Sequence, residues 1–581
     1  MISNNKEISN QEHQERLMIE WGKKNGVKWD EEMMEIHDFG DSGGGRGVIA
    51  KRTIESGDLL VEVPLSLLIH SLPILSVVPP FEHIETVLKL LDSKQTICFQ
   101  LIYERLIRNR SRWYGYLDCI PKEYNTTVSY TDAEIGELSY PYYKNEATKL
   151  RKEMLDSHKQ YKEILQSHLT LKVLSSHSEL DNNNNSTFKS SGGGGNTLKN
   201  STNGSTSLHN NSTGTPIIRN SGSIKNSGSF LRNSSSDIGR MSASGTNTPS
   251  ASTRSLPSFD YVKDDQGDIL EEEEEHRSHL GCPTNNGYEV VFHQDVLANL
   301  VDLNMYVWAW GVIQTRTYYY NPRLDHQVSA AASSKKQQQQ QLPKIHTTQD
   351  KNDNACLVPL ADLFNHNPNV KTMASYCAAD RCYRVYTDTR FEKGEQVFIS
   401  YGLHNNATLL HYYGFVIDNN HLDGIEIDSE ASLPPLRPSA FYHLPAKEQR
   451  EYERLVERKE NILIQNGLSQ GKYEVVNDPT MPFTWNYLTT LRVMMMTKSE
   501  IDANLQNHIF HLDEPVSLQN NKRVSKFLTD LCDRHLLQLG AKRDQSTCTT
   551  HNQLMTTILI NNTITIFENA RIYSLSLDLG Q

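Results

Sequence analysis

The sequence predicts an α+β fold, on three observations. Near the start, two β-branched alternating runs within VIAKRTIESGDLLVEVPLSLLI flank the turn Glu55-Ser56-Gly57-Asp58, the pattern of a β-hairpin. From about residue 82 to 174, apolar residues recur at helical spacing. The last third, from about residue 425, is helical in texture throughout. Strands succeeded by blocks of helix point to segregated sheets and helices.

Taken in order, residues 10–37 read as helix with Gly26 as a stop, so 1–37 forms an N-terminal helical segment. Chain breakers cluster at Asp41–Gly47. In FQLIYERLIR the spacing puts Phe99, Ile102 and Leu106 on one face and Glu104 and Arg108 on the other. From about 175 to 284 the chain is rich in Asn, Ser, Gly and Thr, with glycines at Gly192–Gly195 and an acidic run at Glu271–Glu275. Such a segment buries too little apolar surface to offset its ordering entropy, so disorder is expected there. A helix is predicted at Val291–Tyr318, then a glutamine-rich loop at about 325–354, then an apolar strand at Leu357. Both polar insertions are expected as surface loops of one domain spanning 38–420. Beyond it, Pro445 opens and Gly467 closes a helix with Tyr452, Leu455, Val456, Ile462 and Leu463 inward. Further helices are predicted at Thr484–Met496, Lys522–Leu539 and His551–Ile572, giving an all-helical domain at 425–581.

Composition narrows the function classes. A chain of 581 residues holds two or three domains, and a hydrophobic content of 37 % fits an ordered core diluted by polar insertions. Net charge −12 with no basic stripe argues against nucleic acid as a partner. Eight cysteines are scattered without pairing rhythm, and the start MISNNKEISNQEHQERL carries no apolar leader core. The apolar run Val307–Ile313 is too short to cross a bilayer. The expectation is a soluble, reduced, intracellular protein, cytoplasmic or nuclear or both, with no membrane partner and a monomeric state.

The chemistry concentrates between Leu357 and Phe415. Asp362, Asn365, His366, Ser400, Tyr401 and Tyr413 stand inside otherwise apolar runs, and polar groups buried there need partners. Many such groups converging in a short β-rich stretch suggest a small-molecule pocket. Gly43–Gly45 and Gly47 fit a backbone that approaches a ligand closely, and equally a plain tight turn. They lead into a strand and not a helix, so a phosphate-binding loop is disfavoured. Arg316 ends an apolar helix, where a guanidinium either grips a carboxylate with both arms or is simply solvated. Read alone, His366 fits a satisfied core histidine as well as a ligand. Metal binding is not expected, since no second histidine or cysteine stands at ligand spacing near it. No cysteine occurs between Tyr401 and Cys532, which excludes a zinc cap after that tyrosine. Cys377 and Cys382 read as core thiols.

Six motifs in order, GGRG before a strand, SRWYGYLDCIP, WAWGVIQTRTY, DLFNH, EQVFISYG and HYYGF, resemble a SET-domain methyltransferase of the class typified by the plant Rubisco large-subunit lysine methyltransferase. With the helical tail, the resemblance covers about two thirds of the chain, all but the two insertions. It implies small twisted sheets around a pseudoknotted core, an inserted helical subdomain at about 82–174 and 285–320, and a helical C-terminal domain that docks a protein substrate.

The resemblance also implies site roles and a cofactor, S-adenosyl-L-methionine. Gly44, Gly45 and Arg46 would wrap its methionyl end, and Arg316, Asn365 and His366 would contact it. Asp362 would face the junction of cofactor and substrate, together with Arg316. Tyr401 would touch the cofactor and carry the transfer. Methyl transfer to an amine needs alignment and a neutral nucleophile more than a strong base, and a lysine of pKa ~10.4 must first lose its proton. Tyr413 would line the amine channel, with Phe415 as a wall. A related branch that methylates a histidine of actin lacks a tyrosine at the position of Tyr413, so HYYGF leans toward lysine. The alternatives are a protein-histidine methyltransferase and a SET-fold binding module without turnover. Arg46 departs from the apolar or aromatic residue usual in relatives.

Overall fold

The computed structural model of the chain describes residues 2–40, 44–73, 75–77, 84–182, 296–320, 354–427, 432–468, 472–503 and 516–579. Gly43, most of the low-complexity insertion and nearly all of the glutamine-rich loop lie outside these residues. The chain divides into two compact units, residues 1–176 with 281–581 and residues 177–280, the second almost wholly outside the described residues.

Four small sheets make up the β component of the described residues. The first orders strands β1 (Met34–Asp38), β2 (Arg46–Ala50), β10 (Gln396–Ile399) and β7 (Asn365–His366) as β1-β2-β10-β7. The second is β3 (Leu59–Pro64), β9 (Cys382–Thr387) and β8 (Thr372–Cys377). A third sets β4 (Ile69–His70) and β5 (Thr317–Tyr319) on either side of β6 (Ala355–Leu357). β10 pairs antiparallel with β2 but parallel with β7, in the register Phe398↔Asn365 and Ile399↔His366. That parallel step carries the site residues of β7 against the strand that leads into Tyr401.

The expected hairpin does not form. Its turn exists, with the Glu55 N–H bonded to Asp58 Oδ2 at 2.9 Å and Gly57 at φ +96°, but it joins strands of different sheets. β2 pairs with β1 and β10, while β3 pairs with β9. Ile54, bridged to Phe391, carries the chain from one sheet to the next. A local turn fixes a change of direction; β10 and β9, the partners that hold β2 and β3 in different sheets, lie more than 300 residues away in sequence.

The N-terminal helix α1 (Ile2–Lys24) stops before Gly26, whose φ is +90°. The helical reading fails after it: Met34–Asp38 is strand β1, because Met33 and Met34 are buried against the sheet. The inserted subdomain contains α2 (Ile84–Leu90), α3 (Ser93–Leu106), α4 (Tyr114–Leu117), α5 (Asp132–Glu137) and α6 (Pro141–Asn182). Asp92 and Gln95 close α3 with a reciprocal capping box, as Thr131 and Glu134 do for α5. Glu104 does not lie on a solvent face. It is fully buried in α3 and accepts the Ser76 N–H at 2.7 Å. Helix α7 (Leu303–Arg316) is capped by Asp302 and ends earlier than expected, since Thr317–Tyr319 turns into β5. Arg316 is therefore the last helical residue, aimed at the start of a sheet.

The C-terminal part packs α8 (Ala446–Gln465), α9 (Trp485–Met494), α10 (Lys498–Asp502), α11 (Leu518–Leu539) and α12 (His551–Leu579). It is not all helix. β11 (Gly424–Ile427) pairs antiparallel with β12 (Tyr473–Val476); alternate residues of β12 are buried, and in β11 only Glu426 is partly exposed. The β-branched run YEVV between Gly471 and Asp478-Pro479 carries the signal for this strand. A large core unites the first three sheets with α3 and α7, and a second joins β11 and β12 with α5, α6, α9, α11 and α12. Tyr143 and Thr563 share a buried hydrogen bond of 2.8 Å between the inserted subdomain and α12.

Candidate active site

Two walls of different chemistry meet beside β7. The polar wall begins at the glycine turn. Gly44 and Gly45 have φ of +87° and +70°, a region that strains other residues. A Cβ at Gly47 would stand 2.5 Å from Gln396 Nε2 and 2.7 Å from Asn365 Nδ2, so a side chain there would displace these two amides. Asn365 Nδ2 reaches back to the carbonyls of Gly44 and Arg46 at 3.5 and 3.4 Å, tying the turn to β7. The Arg46 side chain does not join the pocket. Its Nη2 donates to Cys119 O at 2.7 Å and its Nη1 lies 3.8 Å from Glu15, so only its backbone faces Asn365.

Arg316 and Asp362 lie at the heart of this wall. Arg316 Nη1 donates to Asp362 Oδ2 at 3.0 Å and to Asp362 O at 2.9 Å, while Nε donates to the Tyr124 hydroxyl at 3.1 Å. The carboxylate side chain is 1 % exposed. Tyr116 donates its hydroxyl to the same Oδ2 at 2.7 Å. Burial opposes the guanidinium charge, yet Tyr124, Asp362 and Tyr116 more than compensate and hold its pKa above the usual arginine range. Of the two readings of Arg316, a grip on a carboxylate holds, and on this arm the carboxylate is the protein's own. Burial pushes the pKa values of the Tyr116 and Tyr124 hydroxyls upward, so both stay protonated, Tyr116 donating to Asp362 and Tyr124 accepting from Arg316.

The aromatic wall is built on the loop after β10. His366 stacks on Tyr401 with ring centroids 5.0 Å apart, and its Nδ1 accepts the Tyr401 N–H at 3.1 Å. That bond fixes Nδ1 as the acceptor of the ring. Desolvation lowers the His366 pKa to about 4, so the imidazole is neutral. Tyr401 donates its hydroxyl to Phe364 O at 2.8 Å, and burial raises its pKa far above neutrality. A protonated phenol anchored on a carbonyl orients a nucleophile; it does not act as a base. Tyr413 lies 5.1 Å from Tyr401 and 6.4 Å from Phe415, and Phe415 lies 6.3 Å from His366.

Tyr413 reaches this position through a single π-helical turn, Leu409–Tyr413, a form concentrated at functional sites. Gly414 ends it at φ +81°, where a Cβ would meet Asn125 C and O at 2.7 Å. His551 of α12 holds the Gly414 carbonyl at 2.9 Å. The C-terminal helices therefore fix the backbone that presents Tyr413.

The structure brings Gly44, Gly45, Arg316, Asp362, Asn365, His366, Tyr401, Tyr413 and Phe415 to this one region, with the Arg46 side chain turned away. Sequence reasoning missed Tyr116, Tyr124 and Gln396. Tyr116 stands inside SRWYGYLDCIP, so its motif was visible while its bond to Asp362 was not. Asp362 Oδ1 and Gln396 Nε2 are buried and meet no hydrogen-bond partner among the described residues. A polar ligand seated along the glycine turn fits these two atoms and the cradle that a Cβ would fill.

Comparison with known proteins identifies relatives of the chain and of its fold. SET domain-containing protein 4 of Mus musculus is 29 % identical over 192 residues, 33 % of this chain and 35 % of that protein. Its Homo sapiens counterpart is 26 % identical over 243 residues, 41 % and 47 % of the two chains. Actin-histidine N-methyltransferase of Homo sapiens is 28 % identical over 195 residues, 32 % and 30 %. The alignments thus span about a third to a half of these relatives. Among solved structures, the SET domain of LSMT bound to lysine and AdoHcy superposes with a TM-score of 0.50 at 14 % identity, over 98 % of this chain and 92 % of that one, a likeness of fold. The Rubisco LSMT substrate-binding family matches residues 451–555. The SET-domain family matches residues 45–402, more than half of the chain, and to that family the chain belongs.

Proposed function

We propose that this chain is an S-adenosyl-L-methionine-dependent protein-lysine N-methyltransferase, with residues 38–420 as the catalytic domain and 425–581 docking the protein substrate. The observation that carries the reading is the pairing of Tyr401 with Tyr413, rings 5.1 Å apart, beside the glycine turn held by Asn365. Gly44, Gly45 and the Arg46 backbone, with Asn365, His366 and Arg316, would hold the cofactor. When bound, it supplies an electrophilic methyl group on a sulfonium. Tyr401, anchored on Phe364 O, and Tyr413, presented by the π-turn, bound a narrow aromatic passage that orients an incoming side chain. Phe415 and His366 keep that passage dry. A desolvated amine sheds its proton more easily, and water is kept from competing as nucleophile.

Tyr413 favours lysine over histidine; the likeness to actin-histidine N-methyltransferase supports histidine as the second reading. The test is incubation of the recombinant chain with labelled S-adenosyl-L-methionine and a cell lysate, then mass spectrometry. Methyl groups on lysine ε-amines, lost by a factor of roughly 100 or more in Tyr401→Phe, are the expected result, by analogy with removing a single transition-state hydrogen-bond donor. Methyl groups on imidazole nitrogen would replace the lysine reading. Absence of cofactor binding in calorimetry would overturn both.

A further inference from the structure

The cysteines at the tip of the β8–β9 hairpin have no part in the site described above; Cys382 is buried as a core thiol would be, but Cys377 is only half-buried. The ladder register sets Cys377 directly opposite Cys382, closing the turn Ala378–Arg381. Directly opposed residues of an antiparallel pair project from the same face, with Cβ atoms about 4.5–5.5 Å apart. A disulfide needs Cβ atoms about 3.5–4.5 Å apart, so a small closing movement at a hairpin end suffices. Both thiols are free, Cys377 half-buried and Cys382 buried. Their face is the outer one: it also carries Arg384, which pairs with Asp380 at 2.7 Å and with Glu62.

We propose that Cys377 and Cys382 form a reversible intramolecular disulfide, a modification site whose co-substrate is a small-molecule disulfide of the glutathione type. Cys377 is the entry point, being the more exposed. Its thiol donates to Asp380 Oδ2 at 3.5 Å, and the Arg384 guanidinium balances that carboxylate. The Cys377 thiolate attacks one sulfur of the oxidant, forming a mixed disulfide and releasing one thiolate. Cys382, having lost its own proton, then attacks Cys377 Sγ and expels the second. Two protein thiols are oxidised by two electrons, and one disulfide molecule is reduced to two thiols. Burial raises the Cys382 pKa, so this second step is the slow one. The exchange therefore suits a slow response to redox poise, unlike the fast chemistry of an activated thiol.

Trypsin tests this directly, because Arg381 lies between the two cysteines and Lys371 and Arg384 flank them. The full chain is equilibrated in glutathione buffers from reducing to oxidising, its remaining thiols are alkylated, and it is digested without reduction. The expected product is Thr372–Arg381 joined to Cys382–Arg384, two hydrogens lighter than the sum of the free peptides. It should disappear on adding dithiothreitol and be absent from Cys377→Ser. Wild-type chain should also melt at a higher temperature oxidised than reduced, and Cys377→Ser should melt the same in both. Glutathione retained on Cys377 with no linked peptide would overturn the proposal, as would alkylation of both cysteines in the most oxidising buffer. A link from either cysteine to another one would overturn it too.

Discussion

The two walls of the pocket are stabilised in opposite ways. The polar wall keeps its charges: Arg316 and Asp362 neutralise each other, Tyr116 donates to the shared Oδ2 and Tyr124 accepts from Arg316 Nε. The aromatic wall keeps its groups neutral: burial holds His366 unprotonated and Tyr401 protonated, and it also holds His411 unprotonated on the adjoining π-turn. The first depends on pairing between side chains of distant segments. The second depends on backbone geometry, a π-turn locked by Gly414 and by the carbonyl bond from His551. Damage to a pairing should strand a charge, whereas damage to the turn should move a ring.

The largest effect should come from Asp362→Ala. It leaves the Arg316 guanidinium buried without its carboxylate, a loss of about 3–5 kcal/mol. Urea unfolding measures it, and Asp362→Asn should recover part by keeping the acceptor for Tyr116. A loss below about 1 kcal/mol would mean that solvent, not Asp362, satisfies Arg316.

Acid should attack the aromatic wall first. His366 of that wall, His411 on the π-turn beside it and His535 of α11, outside it, have folded pKa values lowered to about 4 by burial, below the ordinary 6.5. Their contribution to stability is intact above pH 6.5 and is lost as pH falls toward 4. Asp423, fixed between Asn406 and Gly424, is raised to about 6 by burial and acts the other way, destabilising as pH rises from 3.8 to 6. Three protons less one leaves two, so unfolding free energy should rise by up to about 2.7 kcal/mol per pH unit in this window. Asp423→Asn should steepen the rise. A flat profile between pH 4 and 6.5 would show that the rings are hydrated.

Gly414→Ala tests the turn. The positive φ costs about 1–3 kcal/mol for a side chain, and overlap with the Asn125 backbone adds to it. The informative outcome is a tyrosine fluorescence change with retained fold, indicating that Tyr413 has moved off Tyr401. An unchanged spectrum and melting point would separate the aromatic wall from the turn.

The same division governs how much was legible in the sequence. Asp362, Asn365, His366, Tyr401 and Tyr413 were visible because polar residues in apolar runs demand an explanation, and their motifs stood in order. The strand partners were not visible. The turn at Glu55–Asp58 looks the same whether β3 folds back on β2 or pairs with β9 across an insertion. The burial of Glu104 was not legible, because helical periodicity assigns faces without knowing that Ser76 supplies a donor. Tyr116 and Tyr124 were missed for the same reason: a hydrogen bond between segments about 190–250 residues apart leaves no local pattern.

Arg46 gives the smallest effect and the sharpest distinction between the walls. Its guanidinium bonds to Cys119 O at 2.7 Å and faces Glu15 of α1 at 3.8 Å, in a part-buried position. It therefore braces the glycine turn from behind, against α1 and the segment after α4, without entering the pocket. Arg46→Met keeps the apolar stem and removes the charge-assisted bond, which should cost about 1 kcal/mol of stability. If the turn takes its shape from Gly44, Gly45, Gly47 and the clasp of Asn365, affinity for S-adenosyl-L-methionine by calorimetry should fall less than about fivefold, within about 1 kcal/mol. A loss of about a hundredfold with an unchanged melting temperature would place the Arg46 side chain in the pocket when ligand is bound, and the polar wall would then extend to α1.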